Sequence, residues 1–286
     1  TPSVEAILHA IIPYKFVDHT HADSFIAISN SINGEQIIKK IYGDKVLIIP
    51  YIMPGFDLAK ACVKYLDNGI TDGIIGMLLL NHGIFSFGET SQESYKRMLE
   101  LVEISDSYLR ENVIQKATRN VTKQSKLDIE QIAILRNKVS KKAGKPMLLM
   151  TDQSDLSINF CLSDDILLIS QSGPATPDHV IRTKRVPMVG RDIDSYSNEY
   201  KNYFNRNSNT CKKELKILDS APRVILDHEF GLCTVGKNVK DASIVNDIYS
   251  HTIKIIEQAC ELGGYRALPE NDIFDVEYWE LEQAKL

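Results

Sequence analysis

No apolar run in this chain approaches the roughly 18–20 residues that a membrane span needs. The five cysteines (Cys62, Cys161, Cys211, Cys233 and Cys260) lie far apart, are odd in number and form no CxxC pair. A disulfide framework and a cysteine-ligated metal are therefore not expected, and sparse thiols suit a reducing compartment. Basic blocks are missing as well. The 33 Lys and Arg are outnumbered by 38 Asp and Glu, giving −5, which argues against nucleic acid or an anionic membrane as the main partner. No GxGxxG sequence occurs, and Thr1-Pro2-Ser3-Val4-Glu5 has neither the charged nor the apolar region of an export signal. A soluble, cytoplasmic protein is expected, with no internal repeat and no low-complexity tract.

What is present is an ordinary globular mixture: 286 residues, 43% hydrophobic and 25% charged, enough for one large or two modest domains. Periodicity and capping signals predict helices over 1–13, 24–28, 34–41, 56–66 and 91–110. Strands are expected at 16–21, 46–49, 74–80 and 84–87. The polar, aperiodic stretch 120–126 is the best linker candidate, dividing a core of 1–119 from a C-terminal region of 120–286. In that region helices are expected at 129–142, 193–204, 241–262 and 277–285, and strands at 147–150, 166–169, 224–226 and 232–235. Strands alternating with helices give a layered α/β (α+β) architecture.

His19-Thr20-His21 carries the chemistry. On a strand, residues i and i+2 project from one face, so both imidazoles can reach one cation at about 2.0–2.1 Å. A third histidine, His82, stands where an apolar strand runs into Gly83. Three neutral imidazoles with an open fourth position make a catalytic zinc site; the plainer reading is of separate core or surface histidines. Asp18 and Asp23 flank the pair and are candidates to orient the imidazoles. Glu5, one helical turn before His9, is the nearest upstream acid, and a carboxylate beside zinc can move a proton to and from carbon. Arg182, Lys184 and Arg185 follow a Gly/Pro/Thr loop and are candidates to meet a phosphate, against the blander alternative of a solvated basic edge. Tyr196, Tyr200, Tyr203 and Phe204 fall at helical spacings and read as packing. Gly231–Asn238 is one hydroxyl short of a P-loop and reads as a strand entering a turn.

Pro2-Ser3-Val4-Glu5, His19-Thr20-His21-Ala22-Asp23 and Leu79-Leu80-Asn81-His82-Gly83-Ile84-Phe85 together resemble the class II aldolase/adducin family, whose P-S-x-E, H-x-H and N/H-H-G segments occur in this order. Further stretches are similar to the aldolase half of bifunctional rhamnulose-1-phosphate aldolase/short-chain dehydrogenases: 176–185, Gly263-Gly264-Tyr265-Arg266-Ala267-Leu268-Pro269, and Phe274-Asp275-Val276-Glu277-Tyr278-Trp279.

The resemblance implies a three-layer α/β/α fold around a largely antiparallel sheet, with an additional α/β C-terminal region. It implies one zinc ion on His19, His21 and His82, with Glu5 as acid/base. Ser3, Arg182 and Lys184 are candidate substrate contacts. The implied reaction is retro-aldol cleavage of a ketose 1-phosphate such as rhamnulose 1-phosphate, to dihydroxyacetone phosphate and lactaldehyde, in rhamnose metabolism. The implied partners are a small sugar phosphate, further copies of the chain in a homo-oligomer, and a dehydrogenase domain in the parent protein. The family's upstream phosphate-binding segment and a dinucleotide fingerprint are both absent from these 286 residues, which read as a piece of a longer protein. A sugar-phosphate 4-epimerase of the same family is the alternative, although such epimerases carry aspartate where this chain has Glu5. A zinc-binding but incomplete fragment, or an adducin-like interaction module, is the non-enzyme reading.

Overall fold

The computed structural model describes residues 5–67, 73–114, 127–209 and 214–284. The chain divides into two units. The first comprises 1–114, 175–177 and 255–267, and the second comprises 115–174, 178–254 and 268–286. Residues 1–4, the expected linker at 120–126 and Cys211 lie outside the described residues.

The first unit runs α1 (Ala6–Ile11), β1 (Phe16–Thr20), α2 (Asp23–Ser29), α3 (Gly34–Tyr42), β2 (Val46–Ile49), α4 (Phe56–Asp67), β3 (Gly76–Leu79), β4 (Gly83–Gly88) and α5 (Ser91–Asn112). Its sheet has the order β1-β4-β3-β2, with β1/β4 and β4/β3 antiparallel and β3/β2 parallel. Alternation along β3 supplies both faces. Met77 and Leu79 pack with Leu8 of α1 and Leu58 and Cys62 of α4. Leu78 and Leu80 pack with Phe25, Ile38 and Leu101 from α2, α3 and α5. The result is the three-layer α/β/α arrangement with a largely antiparallel sheet, a mixed α/β fold.

The second unit runs α6 (Ile129–Ala143), β5 (Leu148–Asp152), α7 (Asp155–Cys161), α8 (Ile166–Ile169), α9 (Val180–Thr183), β6 (Met188–Val189), α10 (Ile193–Ser208), β7 (Val224–Asp227), β8 (Gly231–Gly236) and α11 (Val239–Glu261, whose residues 255–261 fall in the first unit), with α12 (Glu270–Glu277) and α13 (Glu280–Gln283) after it. The four-residue run at 166–169, expected as a strand, is the helix α8. So short an apolar segment satisfies either period, and among the described residues no strand pairs with it. The charged end expected as one helix over 277–285 is broken at Tyr278-Trp279 between α12 and α13.

The expectation of no internal repeat is corrected. Apart from α9, α6 to α11 repeat the order of α1 to α5, and the second sheet, β5-β8-β7-β6, has the same sequence of antiparallel, antiparallel and parallel pairings. Register coincides residue for residue. Thr20 faces Ile84, the residue after Gly83, and Asp152 faces Leu232, the residue after Gly231. Ser86 Oγ donates to the Ser94 carbonyl (2.9 Å), and Thr234 Oγ1 donates to the Ala242 carbonyl (3.1 Å) at the same place on β8 and α11. Thr90 and Asn238 accept from the backbone N–H three residues on, at the starts of α5 and α11.

Candidate metal centre

His19 sits on β1 opposite Phe85 of β4, and its ring lies flat on that phenyl at 4.0 Å. Its Nδ1 is 2.9 Å from the Ile84 carbonyl. A carbonyl only accepts, so Nδ1 carries the proton and Nε2 presents a lone pair. His21, one residue past the end of β1, brings its Nε2 to 3.0 Å from His19 Nε2. Two acceptor nitrogens that close repel unless a proton or a cation lies between them.

His82 is delivered by the β3–β4 turn. Leu79 pairs with Gly83 across Leu80, Asn81 and His82, and Asn81 takes the left-handed conformation (φ 59°) that asparagine tolerates better than most residues. The turn is tied down from α2 and its C-cap: Asn81 N–H donates to Ser29 Oγ (2.7 Å), and Asn81 Nδ2 donates to Asn30 Oδ1 (2.9 Å). Asn30 is itself fixed by donating to the Ala175 carbonyl at 2.8 Å. His82 is thereby held 4% exposed. Gly83 is needed for clearance. A Cβ there would stand 2.6 Å from the Thr20 carbonyl oxygen, 2.8 Å from His19 Cε1 and 2.9 Å from His21 Cδ2.

Glu5, at the start of α1, places Oε1 2.9 Å from His82 Nε2 and 3.2 Å from His19 Nε2. Burial alone would raise its carboxyl pKa, but hydrogen bonds and charge from His19 and His82, when their Nε2 atoms carry protons and no cation, outweigh that and hold it well below the usual carboxylate range. One donor atom from each of Glu5, His19, His21 and His82 lies within 4.8 Å of the other three. Ligands about 2.0–2.1 Å from a tetrahedral ion would be about 3.3–3.4 Å apart. The 3.0 Å between His19 Nε2 and His21 Nε2 comes close to such an edge, and Glu5 Oε1, 2.9 and 3.2 Å from His82 and His19, stands beside the place the ion would take. The donor set thus fits one divalent cation, and three imidazoles with a carboxylate suit zinc or a similar ion.

Two family descriptions match the sequence: Class II Aldolase and Adducin N-terminal domain over residues 1–109, and Aldolase class II, second domain, over 126–286. The chain belongs to the class II aldolase/adducin family. It is 32% identical over 310 residues to a Bacillus subtilis (strain 168) protein described as uncharacterized oxidoreductase YuxG. That match takes in 100% of this chain and 44% of the relative, so the chain spans less than half the relative's length. A solved structure, the N-terminal class II aldolase domain of a conserved protein from Thermoplasma acidophilum, is 42% identical with a TM-score of 0.35, covering 38% of this chain and 49% of that one.

Of the residues singled out from sequence, Glu5, His19, His21 and His82 come together in the first unit. Ser3 lies outside the described residues. Arg182 and Lys184 belong to the second unit. Lys184 is no solvated edge: it is 5% exposed, donates to the Tyr200 hydroxyl at 2.9 Å and lies 3.6 Å from Glu277. Burial brings its ammonium pKa down to about 8. Asp18 turns away from the imidazoles and accepts from Ser94 Oγ at 2.6 Å. Tyr200, Tyr203 and Phe204 pack with Phe274 and Tyr278, as their spacing predicts.

Sequence reasoning missed the turn anchor Asn81, the ring support Phe85 and the clearance at Gly83. It also missed the vacated copy of the site. By shared register, Thr151, Gln153 and Phe230 of the second unit stand where the first has His19, His21 and His82. The same spacing from helix to strand puts Asn137 where the first has Glu5. Phe230 is covered by the Arg191 guanidinium at 3.9 Å, and Arg191 forks onto Asp227 through two 2.7 Å bonds. Among the described residues, Glu5, His19, His21 and His82 are the one group of such side chains close enough to share an ion.

Proposed function

We propose that this chain is a zinc-dependent aldolase that cleaves a ketose 1-phosphate of the rhamnulose 1-phosphate type into dihydroxyacetone phosphate and lactaldehyde. Family membership supports a metal-dependent aldolase-type function. The observation that carries the finer reading is the convergence of three histidine nitrogens and one carboxylate on a space of single-ion size. His19, His21 and His82 would hold the cation. Bound there, a divalent ion supplies a Lewis acid for the negative charge that carbon–carbon cleavage leaves on the three-carbon fragment.

The chain's own groups do the rest. In cleavage the C3–C4 electron pair stays on C3, the C4 hydroxyl gives its proton to solvent as the carbonyl forms, and C3 takes up one proton in its place. Glu5 is the group that delivers this proton and that removes it in the condensation direction. The Ile84 carbonyl and the Phe85 ring hold His19 in one tautomer and one orientation, and the Asn81–Asn30–Ala175 chain holds His82. These contacts preorganise the donors. Ser3, two residues before Glu5, is proposed to contact substrate. The parent protein is proposed to be cytoplasmic and homo-oligomeric and to carry a dehydrogenase that consumes the aldehyde; the greater length of the relative described as an oxidoreductase supports the last point.

The test is to incubate the zinc-loaded chain with rhamnulose 1-phosphate and follow dihydroxyacetone phosphate. Its release with an equal amount of aldehyde is the expected result. Inversion at C4 without fragmentation would make the chain an epimerase, and bound zinc with neither product would remove the lyase assignment.

A further inference from the structure

Two stretches singled out in the sequence, 176–185 and 263–269, supply none of the four donors. Residues 175–177 and 255–267 nevertheless belong to the first unit, together with those donors. They come from the stretch matched by the second-domain description, 126–286, whereas the donors lie within 1–109. What the late segments touch is Asn30, the 1% exposed residue that ends α2. The Arg266 N–H donates to the Asn30 carbonyl at 2.6 Å, and the Tyr265 hydroxyl hydrogen-bonds the Asn30 carboxamide. Asn30 Nδ2 donates to the Ala175 carbonyl at 2.8 Å. Beside it the Ile32 N–H donates to the Gly264 carbonyl at 3.2 Å, and Ser31 bridges to Tyr265. Because a carbonyl cannot donate, Ala175 fixes which way the amide of Asn30 faces. Oδ1 is thereby turned to Asn81 Nδ2, at 2.9 Å, one residue before His82.

The twin turn of the second unit shows how the same backbone can hold itself. Asp227 pairs with Gly231 as Leu79 does with Gly83. Its carboxylate accepts the N–H groups of Glu229 and Phe230 at 2.9 and 3.0 Å, so that turn is closed by its own first residue. Leu79 has no side-chain oxygen to do this. The Asn81 N–H goes instead to Ser29 Oγ at 2.7 Å, and its side chain goes to Asn30. Asn81 also keeps a left-handed backbone (φ 59°), which persists where the surroundings over-determine it. In the first unit that determination comes from the end of α2, and the end of α2 is itself held by residues far along the chain.

We propose that Asn30 is a positioning residue for His82, held to that task by Ala175, Tyr265 and Arg266, so that the second-domain stretch completes the metal centre. This rests on reading Glu5, His19, His21 and His82 as a metal centre. An amide engaged at both ends in a buried place has one orientation, and removing it leaves the Asn81 amide and the Ala175 carbonyl unpaired. Supports of this kind behind a ligating imidazole are typically worth about 10–100-fold in metal affinity.

The experiment measures zinc affinity of the full chain by competition with a chromophoric chelator. In parallel, mass spectrometry follows hydrogen exchange at residues 79–84 of the metal-free chain, where the His82 N–H donates to the Leu79 carbonyl at 3.1 Å. Asn30→Ala should weaken zinc about 10–100-fold. Tyr265→Phe removes one hydroxyl and should weaken it about 2–10-fold. Exchange at the turn should be faster in both variants. Tyr265→Phe keeps the ring that packs on the core, so it carries the test if Asn30→Ala does not fold. Arg191→Ala, which destabilises the second unit, should leave zinc affinity and turn exchange at wild-type values; a general loss of stability therefore cannot imitate the effect. A wild-type chain that takes up no zinc would remove the metal reading, and the exchange rates would then decide alone: faster exchange in the variants supports the role of Asn30 in placing His82. Wild-type turn exchange in Tyr265→Phe and Asn30→Ala, or wild-type zinc affinity in both, would overturn the proposal.

Discussion

Replacing Gly83 with alanine tests whether the two neighbouring imidazoles owe their positions to an absent side chain. No positive φ is involved, so the effect is steric. The new Cβ would stand 2.6 Å from the Thr20 carbonyl oxygen, inside the 3.0 Å below which such contacts essentially do not occur. It would also lie 2.8 and 2.9 Å from ring carbons of His19 and His21, where carbon atoms prefer about 3.5–4.0 Å. The Thr20 oxygen cannot retreat cheaply because β1 is paired to β4 along its whole length. The rings therefore have to shift by roughly 0.6 Å, more than the ~0.5 Å tolerance of a preorganised site. Overpacking of this kind costs about 1–3 kcal/mol of stability, and mispositioned ligands typically lose about 10–100-fold in metal affinity. Zinc affinity measured by competition with a chromophoric chelator should fall by that factor. Gly88→Ala, at the other end of β4, meets Glu93 and the Ser94 amide at 2.9 Å; it should lose comparable stability while keeping wild-type zinc affinity. Unchanged zinc binding in Gly83→Ala would show that the imidazoles are not held by this clearance.

His21→Ala should strip the metal, read by elemental analysis of the purified protein; a full equivalent of retained zinc would count against the cluster. Glu5→Gln should keep zinc but abolish solvent deuterium exchange at the C3 position of dihydroxyacetone phosphate, followed by proton NMR, and undiminished exchange would take Glu5 out of proton transfer. In the second unit, Arg191→Ala leaves the buried Asp227 carboxylate without its fork. It should cost about 3 kcal/mol, the low end for a broken buried pair, because Arg191 is 30% exposed; urea denaturation reads the loss, and zinc content should not change. Burial alone would raise the Asp227 pKa, but Arg191 and the amides of Phe230 and Glu229 bring it below the usual range. Its contribution is therefore present above about pH 3.9 and lost as pH falls through the lower folded value. The Arg191→Ala variant should show a shallower loss of stability in acid than the wild type.

The elements legible in the sequence were those with a long or unambiguous period. The helices expected at 91–110 and 129–142 form over 91–112 and 129–143, behind the side-chain caps Thr90 and Asp128. The apolar run ending at Leu80 could only be a buried strand, since Met77 and Leu78 point into different cores. Four residues at 166–169 did not suffice, and they became a helix with Leu167 and Leu168 exposed. The duplication was hidden because the two units share backbone register while differing at most side chains. Gly83 with Gly231, Gly88 with Gly236 and Ser86 with Thr234 match, but these are too few and too scattered to read as a repeat. At the site, spacing within His19-Thr20-His21 was enough to pair two rings, whereas Phe85 and Asn81 act through contacts that no local pattern encodes.

By itself the sequence determined which donor atoms exist and the local geometry that covalent connectivity enforces: two imidazoles two residues apart on a strand, a third beside a glycine, a carboxylate on a short helix. Only the tertiary structure decided that these four meet, because a hairpin turn and a helix end are brought together by sheet pairing and core packing between residues distant in the chain. The same folding also decided that one half carries donors, while its structural twin fills the corresponding place with a phenyl ring under a guanidinium. Chain connectivity limits what neighbours can do, and burial selects which distant groups become neighbours.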